Sequence, residues 1–353
     1  MDKNLLELYS DYLLSSFGAT TATGLSAWVD GALSHDQVTR FLSAADYDGQ
    51  TLWQQVKPLV RTMEQDDGVL IVDDTIQEKP HTDENDLICW HYDHSQNRSV
   101  KGINLLNCVY HAGGMSLPVT YELIRKPILF SEVKTRRVQR KSLCTKNELM
   151  RQMLRVCQHN QLKYRYVLAD SWFSARDNLT FIRHKLHKHF VVALKSNRTV
   201  ALSYQQKRQG AFARIDAQPL PEHQPVLGWI KGLDVPVLLL RQVFTNKDDS
   251  TGTLYLACSD LTCDGDPIEA IYQKRWKVET FHKSLKSHAA LAKSPTKRER
   301  TQSNPCFMAL YAACRLESLR VQHRLNHFAL RSRLYLKAIR YAFDELQMLK
   351  TAA

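Results

Sequence analysis

The sequence of 353 residues lacks the features that mark several common classes of protein. No stretch approaches the roughly 20 apolar residues of a membrane span. Its eight cysteines include no Cys-x2-Cys pair, which favours buried, reduced thiols in a reducing compartment. The first residues, MDKNLLELYSDYLL, are acidic and amphipathic, whereas a signal peptide is basic and then continuously apolar. We therefore expect a cytoplasmic protein.

Positive charge and apolar residues are plentiful. A hydrophobic content of 44% is ample for a folded core, and the length allows one large domain or two to three smaller ones. The formal net charge of +12 suits a polyanionic partner such as nucleic acid. A ribosome-associated or membrane-surface protein could show the same balance, so charge alone does not specify the partner.

The stretch PIEAIYQKRWKVETFHKSLK, residues 267–286, has the pattern of one amphipathic helix. At about 100° per residue, five chemically active side chains fall within an arc of about 80° on its charged face: Tyr272, Arg275, Glu279, Lys283 and Lys286. Such a face can simply be solvated and striped by ion pairs between residues four apart. The alternative is a cleft in which one carboxylate lies among three cations and a phenol.

Two other segments deliver carboxylates to the ends of predicted buried strands. The apolar run 69–72 ends at Asp73 and Asp74, and the run 164–169 ends at Asp170. Sites in α/β sheets lie at the carboxyl ends of strands. With Glu279, these aspartates would form an oxygen-rich set suited to hard divalent cations such as Mg²⁺, and a pair of such ions can catalyse phosphodiester chemistry.

These segments carry a resemblance to a known family. The spacing Tyr272-x2-Arg275-x3-Glu279-x6-Lys286 resembles the tyrosine, arginine, glutamate, lysine signature of bacterial insertion-sequence transposases of the IS-four type, within the DDE class. VDDT at 72–75 resembles the first-aspartate block of that family, and LADSWF at 168–173 resembles the second. The family pattern puts the first ligand at Asp74 and leaves Asp73 as its neighbour or alternate.

The resemblance implies a DNA transposase that cuts transposon ends and joins them to target DNA through a hairpin intermediate. It implies two Mg²⁺ ions, with Mn²⁺ as a substitute, held by Asp74, Asp170 and Glu279. Phosphates near the hairpin would be gripped by Tyr272, Arg275, Lys283 and Lys286. The implied partners are the terminal inverted repeats, the target DNA and a second copy of the chain in a homodimer. The location would be bacterial cytoplasm, with nucleoid association when bound to DNA.

The predicted fold is α/β, with a ribonuclease-H-like catalytic core, a β-rich insertion and flanking helical regions. Its order of strand, hairpin, helix, strand, helix, strand resembles that core, in which the first and fourth strands are neighbours. We expect a helical DNA-binding or packing domain at 1–66, the first part of the core at 67–195 and the insertion at 196–260. The glutamate helix and a basic segment would follow at 261–300, and a C-terminal helical region, packing on the core or pairing two subunits, at 301–353.

Further DNA contacts are predicted outside the signature helix. In the resembled family an aromatic side chain of the insertion holds a flipped base, and Trp229 is the tryptophan in that region; a buried core tryptophan is the alternative reading. The basic run KSPTKRER, 293–300, would contact phosphates or form a solvated cluster through Lys293, Lys297, Arg298 and Arg300.

Local patterns predict single elements. Ser34 before the apolar Val38 has the pattern of a helix cap, and Gly113-Gly114 is the signal of a hairpin turn. A basic stretch at 134–146 leads into a helix expected at about 146–160. We expect His91 and His94 at the surface or on phosphates, with metal ligands as the alternative.

Two rival functions stay open at this point. One is a nuclease of the same core that hydrolyses nucleic acid without strand transfer, since three carboxylates do not separate the two activities. The other is a DNA-binding protein that keeps the fold and has lost catalysis. Mg²⁺-dependent cleavage and joined products would distinguish the three.

Overall fold

The computed structural model describes residues 2–94, 96–132, 136, 138–246, 248–291, 293–294 and 300–351, without the side chains of Arg300 and Thr301. Its first four elements are helices: α1 Lys3–Ser15, α2 Ala22–Trp28, α3 His35–Ser43 and α4 Gly49–Met63. The predicted start of α3 is confirmed, because the Ser34 hydroxyl accepts a hydrogen bond from the Gln37 backbone N–H and the Gln37 side chain accepts one from the Ser34 N–H. This reciprocal cap satisfies two backbone donors that the helix leaves free.

The middle of the chain alternates strands and helices. The first six strands are β1 Val69–Glu78, β2 Cys89–Asp93, β3 Arg98–Ala112, β4 Met115–Leu123, β5 Ile128–Ser131 and β6 Val138–Lys141. Then come α5 Lys146–His159, β7 Tyr166–Ala169, α6 Arg176–Thr180 with a π-helical turn Phe181–Lys185, and β8 His189–Leu194. As predicted, Gly113 and Gly114 form the turn between β3 and β4, and both have positive φ.

The last part begins with a β-rich region and ends in helices. Its elements are β9 Thr199–Ala201, α7 Tyr204–Gln209, β10 Ala213–Arg214, a 3₁₀ turn Ile215–Ala217, β11 Val226–Ile230, β12 Val237–Thr245 and β13 Thr251–Cys258. Four helices follow: α8 Gly265–Gln273, α9 Trp276–Ser287, α10 Arg300–His323 and α11 His327–Thr351.

A large mixed sheet organises the protein and confirms the predicted α/β class. Among the described residues it has 11 strands, and its central order is β4-β3-β1-β7-β8. The pairings β1–β7 and β7–β8 are parallel, whereas β1 pairs antiparallel with β3. The predicted insertion continues this sheet, because β13 pairs with β8 and is followed outward by β12, β11, β9 and β10.

Strand β1 is longer than its apolar run indicates. The sequence predicted a strand that ends at Asp73, but β1 continues to Glu78 because β3 keeps pairing with it as far as Gly102. On the other side β7 stops at Ala169, opposite Val72. Asp73 and Asp74 therefore lie on a strand that is paired along one edge and open along the other, just beyond the end of β7.

The predicted single helix over 267–286 is two helices. The chain tightens between α8 and α9, where the Lys274 and Arg275 N–H groups donate to the carbonyls three residues earlier, of Ile271 and Tyr272. Bonds of this kind give about 3.0 residues per turn. The angle drawn from one continuous helix therefore does not hold for Tyr272, which lies in α8. Glu279, Lys283 and Lys286 share α9, and Arg275 and Glu279 still meet across the join.

The helices at the two ends of the chain pack against each other and on the sheet. Helix α10 contacts α1, α3, α4 and β4. The buried Asn304 amide of α10 donates to the Leu42 and Ala45 carbonyls and accepts from the Tyr47 N–H. The N-terminal helices therefore share a core with the rest of the molecule. Packing in this core explains why their apolar residues recur at helical spacing.

Candidate active site

The open edge of β1 forms one wall of a cavity of about 430 Å³. All three predicted carboxylate positions line it, together with the alternate Asp73 and two lysines. The acidic wall is Asp73, Asp74, Asp170 and Glu279, and the basic side chains are Lys146 and Lys286. Parallel pairing of β1 with β7 brings the two aspartate segments together, as the predicted neighbouring strands require.

Asp73 and Asp74 approach this cavity from opposite faces of β1, since successive side chains of a strand alternate. Asp73 is paired in register with Asn107, whose amide contacts His282 of α9, so Asp73 lies on the face covered by the Glu279 helix. Burial raises the pKa of Asp73 to about 7, with further contributions from the nearby charges of Asp170 and Asp74.

Asp74 lies on the face toward α5. Its Oδ2 accepts a hydrogen bond from Lys146 Nζ at 2.7 Å and another from the buried Asn104 amide at 2.9 Å. The family pattern selects Asp74 as the first ligand, whereas the Glu279 helix covers the face of β1 that carries Asp73. The choice between Asp73 and Asp74 therefore stays a prediction.

Asp170 follows β7 directly and is oriented by its own turn. Its Oδ1 accepts hydrogen bonds from the Trp172 N–H at 2.9 Å and the Phe173 N–H at 3.3 Å. Burial raises the pKa of Asp170 in spite of these donors. Two carboxyls with raised pKa values thus share one cavity, where burial disfavours their charged forms.

Glu279 is held by the cation that begins its helix. An Arg275 guanidinium nitrogen lies 2.8 Å from Glu279 Oε1, and the Arg275 side chain is only 11% exposed. Arg275 also lies over the ring of Tyr272, which is buried, and burial raises the pKa of Tyr272 to about 12. The charges of Asp73 and Asp170 act on the same guanidinium, which makes Arg275 the central cation of the site.

The other predicted DNA contacts are scattered. Lys286 lines the cavity, but Lys283 does not and places its Nζ over the Phe328 ring of α11. Lys293 donates to the carbonyls of Ser16 and Phe17. Trp229 is only 8% exposed, and the strands β12, β13, β8 and β7 separate its strand from β1. The Trp229 ring contacts Tyr204 and Lys207 of α7, and its assignment to a flipped base stays a prediction.

Three predicted contacts are not covered by these observations. Lys297 and Arg298 lie outside the described residues, and so does the side chain of Arg300. Their assignment to phosphate binding stays a prediction from the sequence.

Comparison with known families gives one match. A family model described as DDE superfamily endonuclease matches residues 2–225, which is more than half of the chain. The chain belongs to the DDE superfamily endonucleases. A search of curated proteins found no match.

Membership of this family implies metal-dependent nuclease activity, and its members generally use divalent metals such as Mg²⁺. The matched region contains Asp73, Asp74 and Asp170 but ends before Glu279. The assignment of Glu279 as the catalytic glutamate therefore rests on its place in the cavity and on the signature motif. No helix within the described ranges is long and apolar enough to cross a membrane.

The donor set fits divalent cations in type. Asp73 or Asp74, Asp170 and Glu279 offer carboxylate oxygens to one cavity, and hard cations prefer oxygen ligands. In the part of the chain that the structure describes, no three His, Cys, Asp or Glu side chains are grouped closely enough to hold an ion as they stand. Asp74 and Glu279 each face a cation of the protein itself.

Several residues of this site were missed by the sequence reading. Lys146 was seen only as the end of a basic run before α5, and Asn104 lay inside an apolar strand with no visible signal. Beside Asp170, the exposed Trp172 makes a tilted ring contact with His94 at a centroid distance of 5.2 Å. His91 was expected at the surface but is buried, and burial lowers the pKa of His91 to about 3.

Proposed function

We propose that this endonuclease is a DNA transposase of the IS-four type that cleaves transposon ends and joins them to target DNA. The observation that carries the proposal is the single cavity in which aspartates of two adjacent parallel strands meet Glu279 among Arg275, Lys146 and Lys286. A nuclease needs the carboxylates, and cations beside them suit a strand that must be held after its first cleavage.

The roles follow from the contacts. Asp74, with Asp73 as alternate, Asp170 and Glu279 would hold two Mg²⁺ or Mn²⁺ ions, which when bound supply activation of the attacking oxygen and stabilisation of the leaving one. Arg275 orients Glu279 and is itself fixed against Tyr272. Lys286, on the cavity wall, is placed to bind a phosphate near the reacting bond.

The central strand order supports a ribonuclease-H-like core. In β4-β3-β1-β7-β8 the first and fourth strands along the core, β1 and β7, are neighbours, and the helix with Glu279 follows the added β strands. The tyrosine, arginine, glutamate and lysine at 272, 275, 279 and 286 support the hairpin-forming group, since bending a duplex end crowds phosphates that Arg275 and Lys286 can neutralise.

Pairing two transposon ends requires two active sites, and α11 is the surface we assign to a second copy of the chain. None of its 25 residues, all of them described, is buried. Leu336, Ile339, Phe343 and Leu346 are exposed at spacings of three, four and three, the pattern of a helix-pairing seam.

The charges of α11 favour an antiparallel pair of copies. Its first 14 residues carry Arg331, Arg333, Lys337 and Arg340, whereas the remainder carries Asp344, Glu345 and Lys350. An antiparallel, two-fold arrangement would bring the acidic part of each copy to the basic part of the other.

The test is strand transfer. A labelled DNA fragment ending in the terminal repeat of the element is incubated with the endonuclease, Mg²⁺ and a target plasmid, with Asp170→Asn and Glu279→Gln as controls. We expect labelled plasmid and a hairpin of double strand length on denaturing gels, and neither with the controls. Cleavage without any joined product would assign the chain to the simpler endonuclease that its family membership alone implies.

A further inference from the structure

Lys146 is placed at the cavity by a fixed helix start. It is the first residue of α5, and the residues around it form a reciprocal cap: the Thr145 hydroxyl accepts from the Glu148 N–H at 3.2 Å, and the Glu148 carboxylate accepts from the Thr145 N–H at 2.7 Å. The Lys146 side chain, 24% exposed, then reaches Asp74 across the cavity.

A lysine in this position has an electrostatic cost. The first turn of a helix is the positive end of its dipole, where anions are stabilised and cations are not. Helix stability therefore does not explain Lys146, whereas its contact with Asp74 does. We therefore attribute the position of Lys146 to the carboxylate cavity and not to the stability of α5.

The two donors to Asp74 Oδ2 differ in mobility. Asn104 is fully buried on β3, so its amide is a fixed, neutral partner. Lys146 is a point charge on a flexible four-carbon stem at the cavity wall. A divalent ion bound to Asp74 would repel the nearby ammonium at short range. Of the two donors, the lysine is the one that can leave.

We propose that Lys146 is a displaceable counter-ion, which holds Asp74 while no divalent ion is bound and passes to a DNA phosphate when the ion binds. A lysine with three donors suits a phosphate oxygen as well as a carboxylate. This inference rests on the proposed metal site, but its test needs no cleavage.

The decisive experiment measures DNA binding with and without a divalent ion. Lys146→Ala, Lys146→Arg and the control Lys57→Ala, an exposed lysine of α4, are titrated with the same DNA end in EDTA and in Ca²⁺, which also takes oxygen ligands. We expect Lys146→Ala to bind within twofold of wild type in EDTA and three- to tenfold more weakly in Ca²⁺. Lys146→Arg should recover most of the loss. An equal loss in both conditions would overturn the proposal, because the lysine would then contact DNA without being released by the ion.

Thermal unfolding gives the second readout. Without divalent ions Lys146→Ala should have a lower midpoint than wild type, and Ca²⁺ should raise it by more, because the ion replaces the missing charge. An unchanged midpoint and an unchanged response to Ca²⁺ would also overturn the proposal. Asp170→Asn separates the two hypotheses. If the Asp170→Asn variant responds to Ca²⁺ as the wild type does, the proposed metal site itself fails. If that variant loses the response while Lys146→Ala behaves like the wild type, only the role of the lysine is refuted.

Discussion

Asp73→Asn should stabilise the protein in the absence of divalent ions, and increasingly so as the pH rises. The pKa of Asp73 is raised from 3.8 to about 7, chiefly by burial. Between these values the folded state keeps a proton that the unfolded state has lost, so stability falls as the pH rises. At 1.36 kcal/mol per pKa unit the cost to the wild type is about 2 kcal/mol at pH 5 and about 4 kcal/mol at pH 8.

Asparagine avoids this cost because it is neutral, and its oxygen can still accept the hydrogen bond that Asp73 Oδ1 takes from the Asp74 N–H at 2.9 Å. An unfolding entropy of roughly 2 cal/mol/K per residue converts about 4 kcal/mol into about 5 °C for a chain of 353 residues. The difference in thermal midpoint between Asp73→Asn and the wild type in EDTA should therefore be about 3 °C larger at pH 8 than at pH 5. Asp344→Asn, on the exposed α11, is the control. A separation that does not change with pH would refute the burial and repulsion assigned to Asp73.

Three further outcomes are expected. Lys286→Ala should keep the rate of the first nick within about threefold of wild type and slow hairpin formation at least tenfold. Arg275→Ala should lose both steps because Glu279 loses its partner, whereas Lys283→Ala should lose neither. Equal loss of both steps in Lys286→Ala would make that lysine a general binding residue. Asn304→Ala should lower the free energy of unfolding by about 2–4 kcal/mol in urea titrations, since two buried backbone groups and one part-buried carbonyl lose a partner. Asn326→Ala, at an exposed helix cap, should cost only about 1 kcal/mol. Similar losses in the two variants would contradict the packing of the N-terminal helices. The double substitution Ile339→Glu with Leu346→Glu should convert a dimer to a monomer in sedimentation, whereas the control Lys337→Ala should not. A dimer that survives the double substitution would exclude this face of α11 as the dimer interface.

Local signals in the sequence predicted local structure well. The Ser34 cap, the Gly113–Gly114 turn and the helix that begins at Lys146 all rest on interactions between residues a few positions apart, and each is present. The pairing of β1 with β7 was also predicted, because the order of elements resembles a ribonuclease-H-like core, in which the first and fourth strands are neighbours.

What the sequence did not predict depends on partners distant in the chain. Nothing in VDDTIQE marks a strand, and β1 continues through it only because β3 supplies hydrogen bonds. The break between α8 and α9 contains neither glycine nor proline, so no residue signals it. For the same reason the helical wheel did not predict that Tyr272 is buried. Lys283 lies in the same helix as Glu279, but its ammonium contacts the Phe328 ring of α11, a partner distant in the chain.

The position of the break has a consequence for the chemistry of the site. Because the tightened turn lies at Arg275, this residue ends one helical segment and starts the next, and it can face Tyr272 of α8 and Glu279 of α9 at once. Arg275 therefore anchors the glutamate to the core as well as neutralising it. On the other side of β1, Lys146 does the same for Asp74 from the start of α5. The carboxylates are thus held in advance by two cations of unequal mobility. The buried arginine is fixed on the protein, and the lysine, partly exposed at the cavity wall, is the one that an arriving metal ion and phosphate can displace.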